Sequence, residues 1–257
     1  MSDIKTEAIV LKRVNYNEGD RIVTFLTPDG RVSGIAKGVR REKSKLAGGI
    51  EMFCLSKIVV HQRDVKKTES EAEQFGVLTS AKAIEFYQNI ISDLETLELA
   101  SNFLKQISRI THHISSAELF SLTRQTLYYL NQFYLDQNRR QLISIYFKLN
   151  LAKISGEEIN VFYDSNNQKL ESNATYDWDD FEKVFVKRPD QSGSIDQNVI
   201  KILRLILSTN LGVVLKIKNL TPFLPMLSHI AAWNAIIDRN NRSKIWQNSK
   251  ILLVYVN

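Results

Sequence analysis

Residues 6–39, TEAIVLKRVNYNEGDRIVTFLTPDGRVSGIAKGV, contain three short runs rich in β-branched and aromatic residues: TEAIVLKRV, DRIVTFLT and RVSGIAKGV. Turn residues separate them, Asn15 to Gly19 after the first and Pro28-Asp29-Gly30 after the second. Two further runs follow, MFCLSKIVVHQ at 52–62 beyond Gly48-Gly49, and VKKTESEAEQF at 65–75. Five strands in roughly 70 residues predict a small closed barrel, for which the OB-fold is the commonest solution and an SH3-like barrel the alternative.

After Leu78 the period of the apolar residues changes. Leu97, Ala100, Phe103, Leu104, Ile107, Ile110 and Ile114 recur at helical spacing, as do Leu119, Leu122, Leu127, Leu130, Phe133 and Tyr134. A third helix is predicted from Leu142 through Ile145, Tyr146, Leu149 and Ala152, with Ser155-Gly156 as its stop. Residues 160–193 break this rhythm: a hairpin is expected around Asn166-Asn167, and WDDFEKVF (178–185) reads as a short helix capped by acidic residues. Helical period returns at Val199–Leu207 and Leu224–Ile237, and ILLVYV at 251–256 reads as a strand. The expected fold class is therefore α+β: an OB-fold barrel over 1–78, then a helical domain over 79–257 carrying an insertion at about 157–193.

The chain of 257 residues is long enough for a sizeable core, and its 44% hydrophobic and 24% charged residues are those of a globular protein. No apolar run approaches the ~18 residues of a membrane helix, and MSDIKTEAIV lacks a basic-then-apolar export plan, so a cytoplasmic location is expected. The single cysteine, Cys54, excludes an internal disulfide and any multi-cysteine zinc site. The net charge of +6 is unevenly spread. Residues 1–78 carry 14 basic against 11 acidic side chains, 79–200 carry 12 against 16, and 201–257 carry 8 against 1. An acidic middle between basic ends suits a polyanionic partner.

The sharpest cluster is RVSGIAKGVRREKSK (31–45), where Arg31, Lys37, Arg40, Arg41, Lys43 and Lys45 face only Glu42. If RVSGIAKGV is a strand, the basic run after it is a hairpin loop that projects several donors from a rigid barrel. Such donors hold phosphates whatever the base sequence, because each neutralised phosphate releases counterions; a solvated, mobile loop is the plain alternative. Arg21 and Tyr16 flank the first turn, Tyr16 being the best candidate for stacking on a base, whereas Phe25 and Phe53 read as core. The four histidines, His61, His112, His113 and His229, have no accompanying ligand cluster, so no metal is expected. Glu157-Glu158 and Asp179-Asp180 read as solvated faces. No phosphate loop, dinucleotide fingerprint or nucleophile elbow occurs, so no enzymatic activity and no cofactor are expected.

Residues 6–53 resemble the N-terminal domain of the RecO recombination-mediator family. The matching elements stand in order: Glu18 and Asp20 before the second strand, Thr27 and Gly30 at the turn, then Ala36-Lys37-Gly38, Arg40-Arg41 and Ser44. FKLNLAKISG (147–156) and RNNRSKIW (239–246) extend the likeness more loosely. The resemblance implies an OB-fold followed by a helical domain. It implies binding of single- and double-stranded DNA, annealing of complementary strands, and cooperation with RecR in loading RecA onto DNA coated by single-stranded DNA-binding protein, with RecF a further candidate partner and the nucleoid the expected place of work. Many members carry a four-cysteine zinc element where this chain has its cysteine-free insertion, which must then fold without metal. Members also receive the acidic C-terminal tail of single-stranded DNA-binding protein in a helical pocket. Ile145 and Tyr146 stand where arginines usually precede the FKLNLA-like segment, leaving Arg139, Arg140, Lys148, Lys153, Arg242 and Lys244 as candidates for that charge. A protein-interaction adaptor and an RNA-binding module remain the rival readings.

Overall fold

A computed structural model describes residues 2–62, 75–112, 117–132 and 135–233. Strands β1 (Ser2–Tyr16), β2 (Asp20–Thr27), β3 (Gly30–Ala36), β4 (Cys54–Gln62) and β5 (Gly76–Phe86) close into a barrel in the order β1-β2-β3-β5-β4. All neighbours are antiparallel except β3 and β5, which pair in parallel through Gly34–Gly76 and Ile35–Val77. This is an OB-fold-like barrel. The fifth strand differs from the expectation, and its range carries the barrel past the expected boundary at Leu78. Residues 65–74 of the predicted strand lie outside the described residues, and the closing strand is GVLTSAKAIEF. Register shifts at Leu55/Ser56 and Val59/Val60 interrupt its pairing with β4 and break the period-two pattern by which a strand is read.

The long strand β1 is buried on both faces at its centre, residues 8–11. Ala8 and Val10 point into the barrel with Val23, Phe25, Ile58, Val60, Leu78 and Ala81. Ile9 and Leu11 point outward and, with Leu26, Phe53 and Leu55, join the core of the helices. A shift between Val10 and Lys12 re-aims the strand where the two cores meet. A single 3-10 turn, Ala47–Ile50, caps the barrel end: Ile50 is fully buried, and Gly49 packs so close to Ala81 that any Cβ would collide with its backbone.

The helical region comprises α1 (Gln88–Ser92), α2 (Leu94–Ile110), α3 (Ala117–Leu130), α4 (Gln137–Ile154), α5 (Gln197–Ser208), α6 (Leu211–Val214) and α7 (Leu224–Trp233). Helix starts are fixed by acidic caps: Asp93 accepts from the Thr96 amide, Asp136 from Arg139, and Asp196 from Asn198 and Val199. Gly156, at φ +78°, ends α4 as Ser155-Gly156 predicted. Phe103 of α2 stacks on Phe147 of α4 with ring centroids 4.0 Å apart, at the centre of the bundle. Ile114, Phe133, Tyr134, Ile237 and the predicted strand 251–256 lie outside the described residues.

Between α4 and α5 a two-stranded sheet forms, β6 (Thr175–Asp179) and β7 (Val184–Arg188). The expected turn at Asn166-Asn167 is present, closed by Asp164, whose buried carboxylate accepts from the amides of Asn166 and Gln168. The expected helix over WDDFEKVF is instead the hairpin turn. Asp179 accepts from the amides of Phe181 and Glu182, its carbonyl accepts from Lys183 at φ +58°, and Trp178 pairs with Phe185 across the strands. An acidic residue that caps a helix serves a turn equally well. Tyr176, Phe185 and Trp178 supply an aromatic core, and Arg204 of α5 pins the insertion by donating to the Val161 carbonyl at 2.9 Å. The donor set of a four-cysteine zinc element is missing from the sequence, whose one cysteine, Cys54, lies buried in β4, where burial pushes its thiol pKa up.

Candidate nucleic-acid interface

Strand order decides the geometry of the basic run. Because β3 neighbours β2 and β5 while β4 neighbours β1 and β5, residues 37–53 form a crossover over the barrel end, not the hairpin loop the sequence suggested. The crossover is tied down at its start. The Gly38 amide donates to Asp20 Oδ1 at 2.7 Å, and the Arg40 amide donates to the Gly19 carbonyl at 3.0 Å. Gly38 sits at φ +63°, a conformation that favours glycine. Val39 turns inward and is buried in the barrel core. Arg41 and Ser44 continue as tight turns, their amides donating to Gly38 and Arg41 carbonyls at 3.1 and 3.0 Å.

This framework aims the charges outward. Lys37, Arg40, Arg41, Lys43 and Lys45 are all exposed, and among the described residues none of them is in an ion pair. Arg41 lies across Gly19 and Gly38, its Nε 3.8 Å from where a Cβ on either would sit. The β1–β2 turn belongs to the same surface, since Tyr16 pairs with Asp20, and Arg21, opposite Asn15, donates to the Asn15 side chain at 3.2 Å. Tyr16 is 42% exposed, an accessible ring beside the cations. Phe25 and Phe53 are core, as expected.

Arg31 is not part of this surface. It pairs with Leu26 whereas Ala36 pairs with Arg21, so five residues of strand, roughly 17 Å, separate it from the crossover. Its guanidinium donates to His112 Nε2 at the end of α2, which makes His112 the acceptor. The other described histidines are equally dispersed: His61 meets Asp3 at 2.7 Å and His229 meets Asp180 at 3.1 Å. His113 lies outside the described residues. Among the described residues no group of three or more His, Cys, Asp or Glu is placed to hold a metal. The acidic pairs read as solvated faces are engaged instead, Glu157 with Lys183 and Glu158 with Lys153, both at 3.3 Å.

The basic residues of α4 do not converge. Arg140 is consumed locally by Glu95, Asp93 and the Leu135 carbonyl. Arg139 lies 3.8 Å from Asp136, and Lys153 donates to the Leu207 carbonyl near the opposite end of the helix, about 20 Å away. Lys148 is half-buried and has no ion-pair partner among the described residues, and desolvation lowers its pKa. Ile145 and Tyr146 are buried, the Tyr146 hydroxyl donating to the Thr209 carbonyl at 3.1 Å. Arg242 and Lys244 lie outside the described residues. The sequence reading missed Asp20 as the tether and Val39 as the anchor. The order Glu18-Gly19-Asp20 before β2 and Gly38 after β3 is the signal that marks them.

The fold and site thus define a class: an OB-fold-like barrel with a cationic crossover, joined to a helical body. The family model described as "Recombination protein O N terminal" matches residues 1–80. The chain is 27% identical to a DNA repair protein RecO of Dehalococcoides mccartyi over 96% of each chain. It is 30% identical to the DNA repair protein RecO of Acetivibrio thermocellus over 61% of this chain and 58% of that one, and 28% identical to that of Clostridium novyi over 61% and 57%. The barrel thus matches a RecO N-terminal family model, and the chain is similar to RecO proteins along almost its whole length. Among the described residues no helix is long and apolar enough to cross a membrane.

Proposed function

We propose that this chain is a DNA repair and recombination mediator that binds single- and double-stranded DNA through the barrel crossover and brings complementary strands together to anneal. The observation that carries the reading is the set of five exposed cations, in no ion pair among the described residues, on a crossover held rigid by Asp20, Gly19 and Val39. Annealing needs no catalytic group. Two phosphate backbones repel, and a cationic surface that neutralises both lowers the barrier to their pairing. The donors project from a barrel end, with no helix to enter a major groove, so affinity is sequence-independent and Tyr16 adds stacking on an unpaired base. Similarity to RecO proteins supports RecR, RecA, RecF and the acidic tail of single-stranded DNA-binding protein as partners, and a site of action at the nucleoid.

The test is a variant with Lys37, Arg40, Arg41, Lys43 and Lys45 all changed to alanine, titrated with a labelled single strand at several salt concentrations. Its affinity is expected to fall and its log–log salt slope to flatten by about 0.7 for each single-strand phosphate that is no longer neutralised. An unchanged affinity and slope removes the assignment. A parallel annealing assay on strands coated with single-stranded DNA-binding protein measures the mediator activity itself.

A further inference from the structure

A second cationic feature lies where the barrel meets the helices. An open cleft of about 570 Å³ runs between β1 and α2. Its floor is aliphatic, formed by Leu11, Met52 and Leu104, and its rim carries Lys12, Arg13, Lys105 and Arg109 without a single acidic lining residue. Arg13 donates to Glu51 at 2.7 Å. The other three are exposed and carry no ion pair or side-chain hydrogen bond among the described residues. Lys105 and Arg109 stand one helical turn apart, about 6 Å along the axis, a separation comparable with that of neighbouring phosphates on one strand.

We infer that this cleft is a second segment of the nucleic-acid track, taking the phosphodiester backbone of a single strand as it leaves the barrel crossover. Two observations carry this. The charge is one-sided, and three of the four rim cations are in no ion pair among the described residues, which a polyanion satisfies and a neutral ligand does not. The cleft is also continuous with the first surface: Met52 and Glu51 are the closing end of the same crossover that bears Lys43 and Lys45, and Lys12 and Arg13 lie on the strand that ends at Tyr16. The aliphatic floor offers the sugars an apolar surface. The inference rests on the DNA-binding reading and extends it from one site to a path joining barrel and helices.

The experiment compares the wild-type chain, the five-alanine crossover variant, and a K12Q/K105Q/R109Q variant, each with labelled single strands of about 8 and about 20 nucleotides, lengths chosen to fill one barrel site or to overrun it. An acidic peptide bearing apolar side chains is titrated separately. The cleft residues are exposed, and an unchanged thermal midpoint checks that the triple variant is folded. Expected is a wild-type gain of roughly tenfold or more from short to long strand. In the cleft variant the short-strand affinity is kept, most of that gain disappears, and the long-strand salt slope drops by about 2. A cleft variant that matches wild type on the long strand overturns the inference while leaving the crossover reading intact, provided the crossover variant loses both strands. Peptide binding that the cleft variant abolishes, with DNA binding unaltered, also overturns it and assigns the cleft to a protein partner. If the crossover variant keeps its short-strand affinity, it is the function reading that fails.

Discussion

Changing Asp20 to alanine removes one hydrogen bond and one negative charge, and the two act in opposite directions on the crossover's affinity for DNA. The bond runs from the Gly38 amide to Asp20 Oδ1 at 2.7 Å. As a hydrogen bond to an ionised acceptor it is worth about 1.5–3 kcal/mol. The crossover keeps two other ties, Arg40 to Gly19 and the buried Val39, so it loosens without unfolding. Because apparent affinity scales with the fraction of molecules in the binding-competent arrangement, losing the tether weakens binding by up to about 12- to 160-fold, and by less to the extent that the two other ties hold the crossover in place. Deleting the charge helps binding, but a charge about 10 Å from a phosphate in water contributes only about 0.4 kcal/mol before screening, roughly a factor of two. The tether therefore wins. Asp20→Asn separates the terms, since its amide oxygen still accepts the bond: it is expected to bind as well as wild type or up to about twofold tighter. Neither variant changes the number of cations, so the salt slopes coincide. Fluorescence anisotropy against a labelled single strand gives the affinities, and hydrogen exchange at the Gly38 and Arg40 amides reports the tether. Asp20→Ala binding as tightly as Asp20→Asn, with Gly38 exchange unaltered, refutes the reasoning.

Other outcomes follow from the cores and caps. Phe25 is fully buried inside the barrel, and Phe25→Ala is expected to cost about 3–5 kcal/mol in urea denaturation. Asp196 caps α5 through the amides of Asn198 and Val199, and Asp196→Ala is expected to cost about 1 kcal/mol, read as a lowered thermal midpoint. The Ser194 amide, followed by the Arg188 guanidinium, holds the Asp177 carboxyl below the usual carboxylate range. The unfolded chain therefore binds the proton at a higher pH than the folded one, so this contribution is complete above about pH 4 and is lost as pH falls through the depressed value. In Asp177→Asn the dependence of stability on pH below about 4 is expected to be shallower, followed by tryptophan fluorescence; curves of equal slope contradict it.

Strands β1 to β4 were legible because their apolar residues alternate between turns of clear chemistry. The fifth was not, because bulges in its pairing with β4 shift its apolar positions out of step and its alanines, lysine and glutamate suit a helix as well. The hairpin at 175–188 was misread for a related reason, since Asp179-Asp180 followed by apolar Phe181 fits a capped helix and an Asx turn alike. The cations of the crossover were visible as charge, but their support was not, since Gly19 and Asp20 meet residues some twenty positions away only once β2 and β3 have paired. Adjacency in sequence likewise grouped Arg31 with Lys37, although antiparallel register places them at opposite ends of β3. The cleft cations come from β1 and α2, and only tertiary packing brings them together.

The burial of β1 on both faces makes the barrel a poor candidate for transplantation. A barrel excised from this chain exposes Ile9, Leu11, Leu26 and Leu55 as an apolar stripe, an invitation to self-association. A barrel grafted from a distant relative onto these helices meets them with the wrong outer face. The two halves are thus constrained to drift as a matched pair, and a chimera succeeds only when its junction is drawn across those four side chains, not at the end of the last strand.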